Sequence, residues 1–356
     1  MWFRRRKAKK NITEIKGRTL EDVKSDCKYK ACTFYLKENY CDIENSFFDN
    51  CSFRSDVVFQ NLRGCKFMNC GFATGFKLDL SEKQLNKIPQ YVFDLTLLTS
   101  LLLYNNEIAS VPREISKLQN LVQLDLENNH ISSVSPEIHK LQNLRSLFLS
   151  GNQIGSIPPE VGQLKKLEYL SLSNNRISHI PVEVGLLSSI CHLDLSHNLI
   201  NNIPKQIAQL QNLSCLSLYS NNAQNIPEEV VQLRNNLAGN TTTKGLPQAN
   251  FSYRTPSSDR TNRTALPREI GLLKNLSQLR LSNNQINAIP KEVGELSNLR
   301  QLQLSHNQIT TIPTEIAQLQ NLSQLWLNNN RIKEIPAELA QLKNLSQLHL
   351  PLDNTV

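Results

Sequence analysis

A 23-residue pattern, L-x-x-L-x-L-x-x-N-x-I-x-x-I-P-x-E-I-x-x-L-x-x, recurs through most of this chain and constrains its fold more than any other feature. Units start at Leu98, Leu121, Leu144, Leu167, Ile190 and Leu213, resume at Leu276, Leu299 and Leu322, and end in a fragment at Leu345. The unit from Leu299 shows the frame: Leu299, Leu302, Leu304, Asn307, Ile309, Ile312, Pro313, Ile316 and Leu319. A half-match (Leu78, Leu80, Leu85, Ile88, Pro89, Val92, Leu95) precedes the array. At 356 residues the chain exceeds one ordinary compact domain. A periodic chain grows in one dimension, however, and escapes that size limit.

Each part of the unit has a physical reading. The L-x-L segment alternates apolar and polar residues, as a short strand with one buried face does. The following asparagine (Asn106, Asn129, Asn152, Asn175, Asn198, Asn221, Asn284, Asn307, Asn330) falls where the chain turns inward. Its amide can satisfy backbone groups that the turn leaves unpaired, so stacked units should carry an internal asparagine ladder. Proline after isoleucine suits the start of a short helical turn, where its missing N–H is not needed. A glutamate two residues on (Glu114, Glu160, Glu183, Glu292, Glu315, Glu338) lies near that turn's positive end. One unit cannot bury its own apolar face; neighbours on both sides do so.

This unit resembles the leucine-rich-repeat family, in the 23-residue Ile-Pro subtype of intracellular signalling proteins. The resemblance covers roughly residues 76–352. It implies an α/β solenoid, a horseshoe with a parallel concave sheet and short convex helical turns. It also implies a habit of binding proteins without naming a partner.

The net charge of +8 is localised. Residues 1–30 hold eleven Lys/Arg against four Asp/Glu, and the rest is nearly neutral. A basic arm over residues 1–26, opening Met1-Trp2-Phe3-Arg4-Arg5-Arg6-Lys7, is therefore expected to be flexible. It reads first as a solvated tail, and any contact with nucleic acid or an anionic membrane is open only through it. No apolar core of a secretory signal follows, and no apolar run reaches the roughly 18 residues of a spanning helix. The expected compartment is the cytoplasm, and the expected state a monomer.

Six of the eight cysteines lie between Cys27 and Cys70 at spacings of 5, 9, 10, 14 and 5. Over residues 27–75 a five-residue frame reads CKYKA, CTFYL, a four-residue slip, CDIEN, SFFDN, CSFRS, DVVFQ, a second slip, CKFMN and CGFAT. The first residue is mostly small and the third is Tyr, Phe, Ile or Val. This is similar to the pentapeptide-repeat family, which implies a short right-handed β-helix-like cap stacked on the first leucine-rich repeat. Three readings stand for the cysteines: buried thiols chosen for size, disulfides, or zinc ligands. Period five predicts the first; no C-x-x-C supports the last.

Repeats run over 76–235 and 266–352, with a tail at 353–356. Residues 236–265 break the pattern and are rich in Thr, Ser, Asn and Arg. They read as a projecting insertion or as a decayed repeat, decay being slightly favoured. In either case trypsin is expected to cut first at Lys244, Arg254, Arg260 or Arg263. The last unit carries no polar cap, so the natural chain is expected to pair there or to be truncated.

No phosphate loop, dinucleotide-binding glycine fingerprint, H-E-x-x-H or nucleophile elbow occurs, so no enzyme, cofactor or metal is expected. Function is expected on the concave face, among the residues flanking the strand leucines. The candidates are Tyr104, Asp125, Glu127, Phe148, Tyr169, His192, Asp194, Tyr219, Arg280 and Trp326. Exposed aromatics and arginines are enriched in binding hot spots. The main footprint on a protein partner is expected over residues 100–220. His192, Asp194, His197 and Cys191 form the one cluster with chemistry to weigh, and it reads as ordinary surface.

Overall fold

The computed structural model describes residues 13–37, 40–55, 57–201, 203–221 and 268–351. The break at 236–265, its four trypsin sites and the tail at 353–356 lie outside them. The chain divides into two compact units, Met1–Gln153 and Ile154–Val356. That division falls inside the repeat array, not at the change of pattern near residue 76.

The first unit opens with strands that coil. Thr13–Lys16, Cys27–Lys30, Phe47–Asp49 and Lys66–Met68 form one parallel ladder. Thr19–Leu20, Thr33–Phe34, Ser52–Phe53 and Gly71–Phe72 form a second. Partners beyond the first rung lie 19 residues apart (Lys28 with Phe47, Phe47 with Lys66), so each coil is one residue short of four full pentads. The two slips in the five-residue frame are the trace of this shortening. Two details correct the sequence reading. Residues 13–20, assigned to the flexible arm, pair with the next coil. Their side chains are mostly exposed, which is why the sequence carries little apolar signal there. Second, Val57 and Phe59 are buried whereas Val58, the expected inward residue, is only half-buried. The register of this strand shifts opposite Cys41 and Asp42, displacing the frame by one.

Aromatic rings fill the coil. Phe48 stacks on Tyr29 at 5.0 Å and on Phe67 at 4.7 Å. Phe53 stacks on Phe34 at 4.7 Å and on Phe72 at 4.8 Å. Offset stacking of parallel rings adds to the area they bury. The eight cysteines are all free thiols, four of them buried (Cys27, Cys32, Cys51, Cys65).

A third ladder links the coil to the repeats. Tyr40–Asp42 pairs with Val58–Asn61, which pairs with Lys77–Asp79; Ser100–Leu102, Gln123–Asp125 and Ser146–Phe148 follow. The edge of the first repeat strand is thus hydrogen-bonded rather than open. Leu78, Leu101, Leu124 and Leu147 stand in register and are buried.

The second unit repeats the plan with seven parallel strands: Tyr169–Ser171, His192–Asp194, Cys215–Ser217, Gln278–Arg280, Gln301–Gln303, Gln324–Trp326 and Gln347–His349. Leu216 pairs directly with Leu279 although 63 residues separate them. No slot stands between these strands for a decayed repeat.

The helical turns are five-residue 3-10 segments, among them Arg113–Lys117 in the first unit and Val182–Leu186 in the second. Proline sits one residue before the turn, as in Pro112 and Pro181, and its carbonyl accepts the first helical bond. The turns stack closely. A Cβ on Gly185 would collide with the carbonyl oxygen of Gln206 in the next repeat.

The asparagine ladder is present in both units. Asn198 donates to the carbonyls of Leu172 (2.9 Å) and Leu195 (3.1 Å) and accepts from the Ile177 N–H (2.9 Å). Asn129 bonds Leu103, Leu126 and Ile108 in the same way. The preceding residue is held in the left-handed region (Asn105, Asn128, Asn174, His197, Ser220, Asn283, His306, Asn329), where asparagine is among the best-tolerated side chains.

Candidate functional site

The repeat strands before Gln347–His349 bury their leucines and send the intervening side chains outward, so register fixes which of them stand abreast. The expected footprint over residues 100–220 spans the division at Gln153, and its two parts belong to different units.

In the first unit Asp79, Leu102, Asp125 and Phe148 form one row across adjacent strands. Tyr104 and Glu127 follow two residues on, and all four predicted residues here are half-buried. Burial pushes the Asp125 carboxyl above its ordinary range, and the negative charge of Asp79 adds to the shift. The Glu127 N–H, donating to Asp125 Oδ1 at 3.1 Å, opposes it. Asp79 was missed in the sequence because it sits in the degenerate first unit. Its place between Leu78 and Leu80 is the signal that identifies it.

In the second unit Tyr169 and His192 are both exposed and stack at 4.7 Å. Asp194 Oδ1 accepts from the Ser196 N–H (2.9 Å) and hydroxyl (2.6 Å). The Cys191 thiol lies on the Ser189 carbonyl, and burial raises its pKa. His192, Asp194 and Cys191 are therefore each engaged elsewhere and form no relay.

Further along, Tyr219 accepts from Asn283 Nδ2 (2.8 Å) and meets His197 edge-on at 5.0 Å. Arg280, Gln303, Trp326 and His349 stand abreast. Arg280 Nη2 donates to the side-chain oxygens of Gln278 (3.1 Å) and Gln301 (3.4 Å), both neutral. A cavity of about 320 Å³ opens here, lined by Tyr219, Ser282, Gln303, Ser305, His306, Trp326, Asn328 and His349. Among the described residues, Trp326 Nε1, Ser282 Oγ and Arg280 Nε are buried without a hydrogen-bond partner. Of the predicted residues the cavity gathers Tyr219, at the end of the expected main footprint, and Trp326, beyond it. Ser282 and His306 were not singled out, since one 23-residue frame shows each only as a tolerated polar residue.

Among the described residues no group of three or more His, Cys, Asp or Glu is placed to hold a metal ion, and no helix is long and apolar enough to cross a membrane.

Parallel one-row strands, 3-10 turns and an asparagine ladder within each unit define a leucine-rich-repeat solenoid. The chain belongs to the leucine rich repeat family, whose model matches overlapping windows over residues 77–223 and 274–354. It is similar to a solved leucine-rich-repeat protein of Leptospira interrogans, at 35% identity over 88% of this chain and 72% of that one, with a TM-score of 0.58. It is similar to a TDR receptor at 25% identity and a TM-score of 0.61, covering 87% of this chain and 46% of the receptor. The ectodomain of the plant receptor kinase GASSHO1/SCHENGEN3 of Arabidopsis thaliana, solved in complex with CASPARIAN STRIP INTEGRITY FACTOR 2, shares the fold at 22% identity and a TM-score of 0.53, over 91% of this chain and 49% of that one. Comparison with curated proteins returned no match.

Proposed function

We propose that this protein is a non-catalytic interaction scaffold that binds a protein partner on its concave strands. The observation that carries the reading is the register itself. Within each unit the described repeat strands present their outward residues on one face, and in the second unit these include stacked, exposed Tyr169 and His192 and donors at Arg280 and Trp326 unpartnered among the described residues. Aromatic and arginine side chains of this kind dominate binding energy when a partner excludes water from them. The fold likeness to a receptor ectodomain solved with its ligand supports the same use of the surface.

The finer reading is an intracellular, cytoplasmic, monomeric scaffold of the Ile-Pro subtype acting in signalling. Its first coils serve as a pentapeptide-repeat-like cap, and the paired strand Val58–Asn61 supports that role. The basic residues before Thr13 are kept for a secondary contact with nucleic acid or membrane.

Replacing Phe148, Tyr169 and Tyr219 together by Ser tests the reading. Capture of the partner should fall at least tenfold while the melting temperature moves by only a few degrees. Undiminished capture would remove these residues from the footprint, and a large melting loss would show the rings to be packing.

A further inference from the structure

We infer that the cavity of the second unit, together with Arg280 beside it, receives an acidic segment of a partner polypeptide, one carboxylate meeting Arg280 and a neighbouring apolar side chain lying on Trp326 in the cavity. This rests on the concave-face reading above and adds to it the chemistry of the occupant.

The argument is a count of donors and charges. The cavity holds about 320 Å³, room for two or three side chains. Apart from His306 and His349 its polar lining is uncharged, with no carboxylate and no lysine, and Arg280 stands beside the cavity, paired with Gln303 on the next strand. Ser282 is 3% exposed and its hydroxyl is unpartnered among the described residues. The indole N–H of Trp326 and the Nε–H of Arg280 are likewise buried and unpartnered. Buried polar groups in folded proteins almost always find partners, so a cluster of orphans on one surface marks what an occupant must supply. Here it must supply acceptors.

Charge narrows the class. Among the described residues Arg280 bonds neutral glutamine oxygens and no carboxylate. On its row the carboxylate of Asp194 stands two strands away, across Ser217, and is held by Ser196. A half-buried guanidinium without an acid is matched best by a carboxylate, which it can bind through two parallel hydrogen bonds. Gln303 separates Arg280 from Trp326 on adjacent strands, about 10 Å end to end. Residues two apart in an extended segment stand about 7 Å from each other, so their side chains splay to reach both ends of this span, which exceeds what one small anion covers. Trp326, with His349 edge-on at 5.5 Å, offers the apolar contact at the other end.

The test uses the full chain carrying Trp2→Phe, which leaves Trp326 as the sole tryptophan and hence a reporter within the cavity. The probe is a displayed library of random twelve-residue peptides. Enriched peptides should carry Asp or Glu beside an apolar residue, and a synthetic copy should shift Trp326 emission. Changing its acid to the amide, or Arg280→Gln in the protein, should weaken binding about tenfold or more. Arg280→Lys should restore only part, since an ammonium lacks the fork. An unchanged melting curve for Arg280→Gln shows that the variant is folded. Enrichment of neutral or basic peptides overturns the inference, as does undiminished binding to Arg280→Gln. Peptides that depend instead on Phe148 or Tyr169 overturn the inference and leave the concave-face reading standing. Peptides dependent on neither face overturn both.

Discussion

Asp125 shows a single residue held against its own preference. Its carboxyl is half-buried in a row with Asp79, and desolvation followed by that like charge favours the protonated form. The folded chain therefore holds this proton to higher pH than the unfolded chain does. As pH rises through the ordinary Asp range, near 3.9, the unfolded state releases its proton first and stability falls; below that range the cost is absent. Asp125→Asn keeps an oxygen for the Glu127 N–H and removes the charge. It should raise the melting temperature at pH 7, with the gain vanishing at about pH 3. An equal gain at both pH values, or a loss at pH 7, would contradict the electrostatic account. A charge kept at a cost in stability is what a binding face shows when the charge serves the partner. At this scale the sequence was partly legible. The asparagine of each unit was readable because its position is fixed by period and its amide chemistry by the turn. The residue before it was not, because the reason for Asn there is backbone conformation. His197 and His306 hold the same left-handed position without resembling asparagine.

At the scale of elements, strands and turns were readable because period 23 states them nine times. Irregularities were not, because each occurs once. The coil of 19 residues blurs a five-residue frame, and the strand Val58–Asn61 slips by one where its partner strand shifts. The break is the instructive case. Composition left insertion and decay open, and the described strands on either side of the break pair directly, Leu216 with Leu279. The sequence then suggests a clean excision. Pro227 and Pro267 occupy equivalent places, so deleting residues 228–267 joins Pro227 to Arg268 and leaves a 23-residue unit from Leu213 to Asn275. Shortening the connection between paired strands lowers the entropic cost of closing it, by about 1 kcal/mol for this change in length. The deletion variant should keep its circular dichroism spectrum and melt at the same temperature or higher. A lost spectrum or a marked fall in melting temperature would mean that the removed residues support the ladder.

For the molecule as a whole, charge separates the two ways this chain can meet a partner. Six of its basic residues (Arg4, Arg5, Arg6, Lys7, Lys9, Lys10) precede Thr13, whereas the chain beyond residue 30 is close to neutral. Long-range attraction from such an arm is screened by salt and acts on any polyanion, so binding through it weakens steeply between about 50 and about 200 mM salt. Binding through a concave face depends on shape, on buried rings and on Arg280 desolvated against one acid, which salt screens far less. Changing the six residues to Gln lowers the net charge from +8 to +2 and leaves every described residue intact. If the strands carry recognition, this variant should capture the partner as well as the parent does and show the same shallow salt dependence. A steep salt dependence in the parent that disappears with the six charges would move recognition to the arm. It would leave the repeats as the support that presents it.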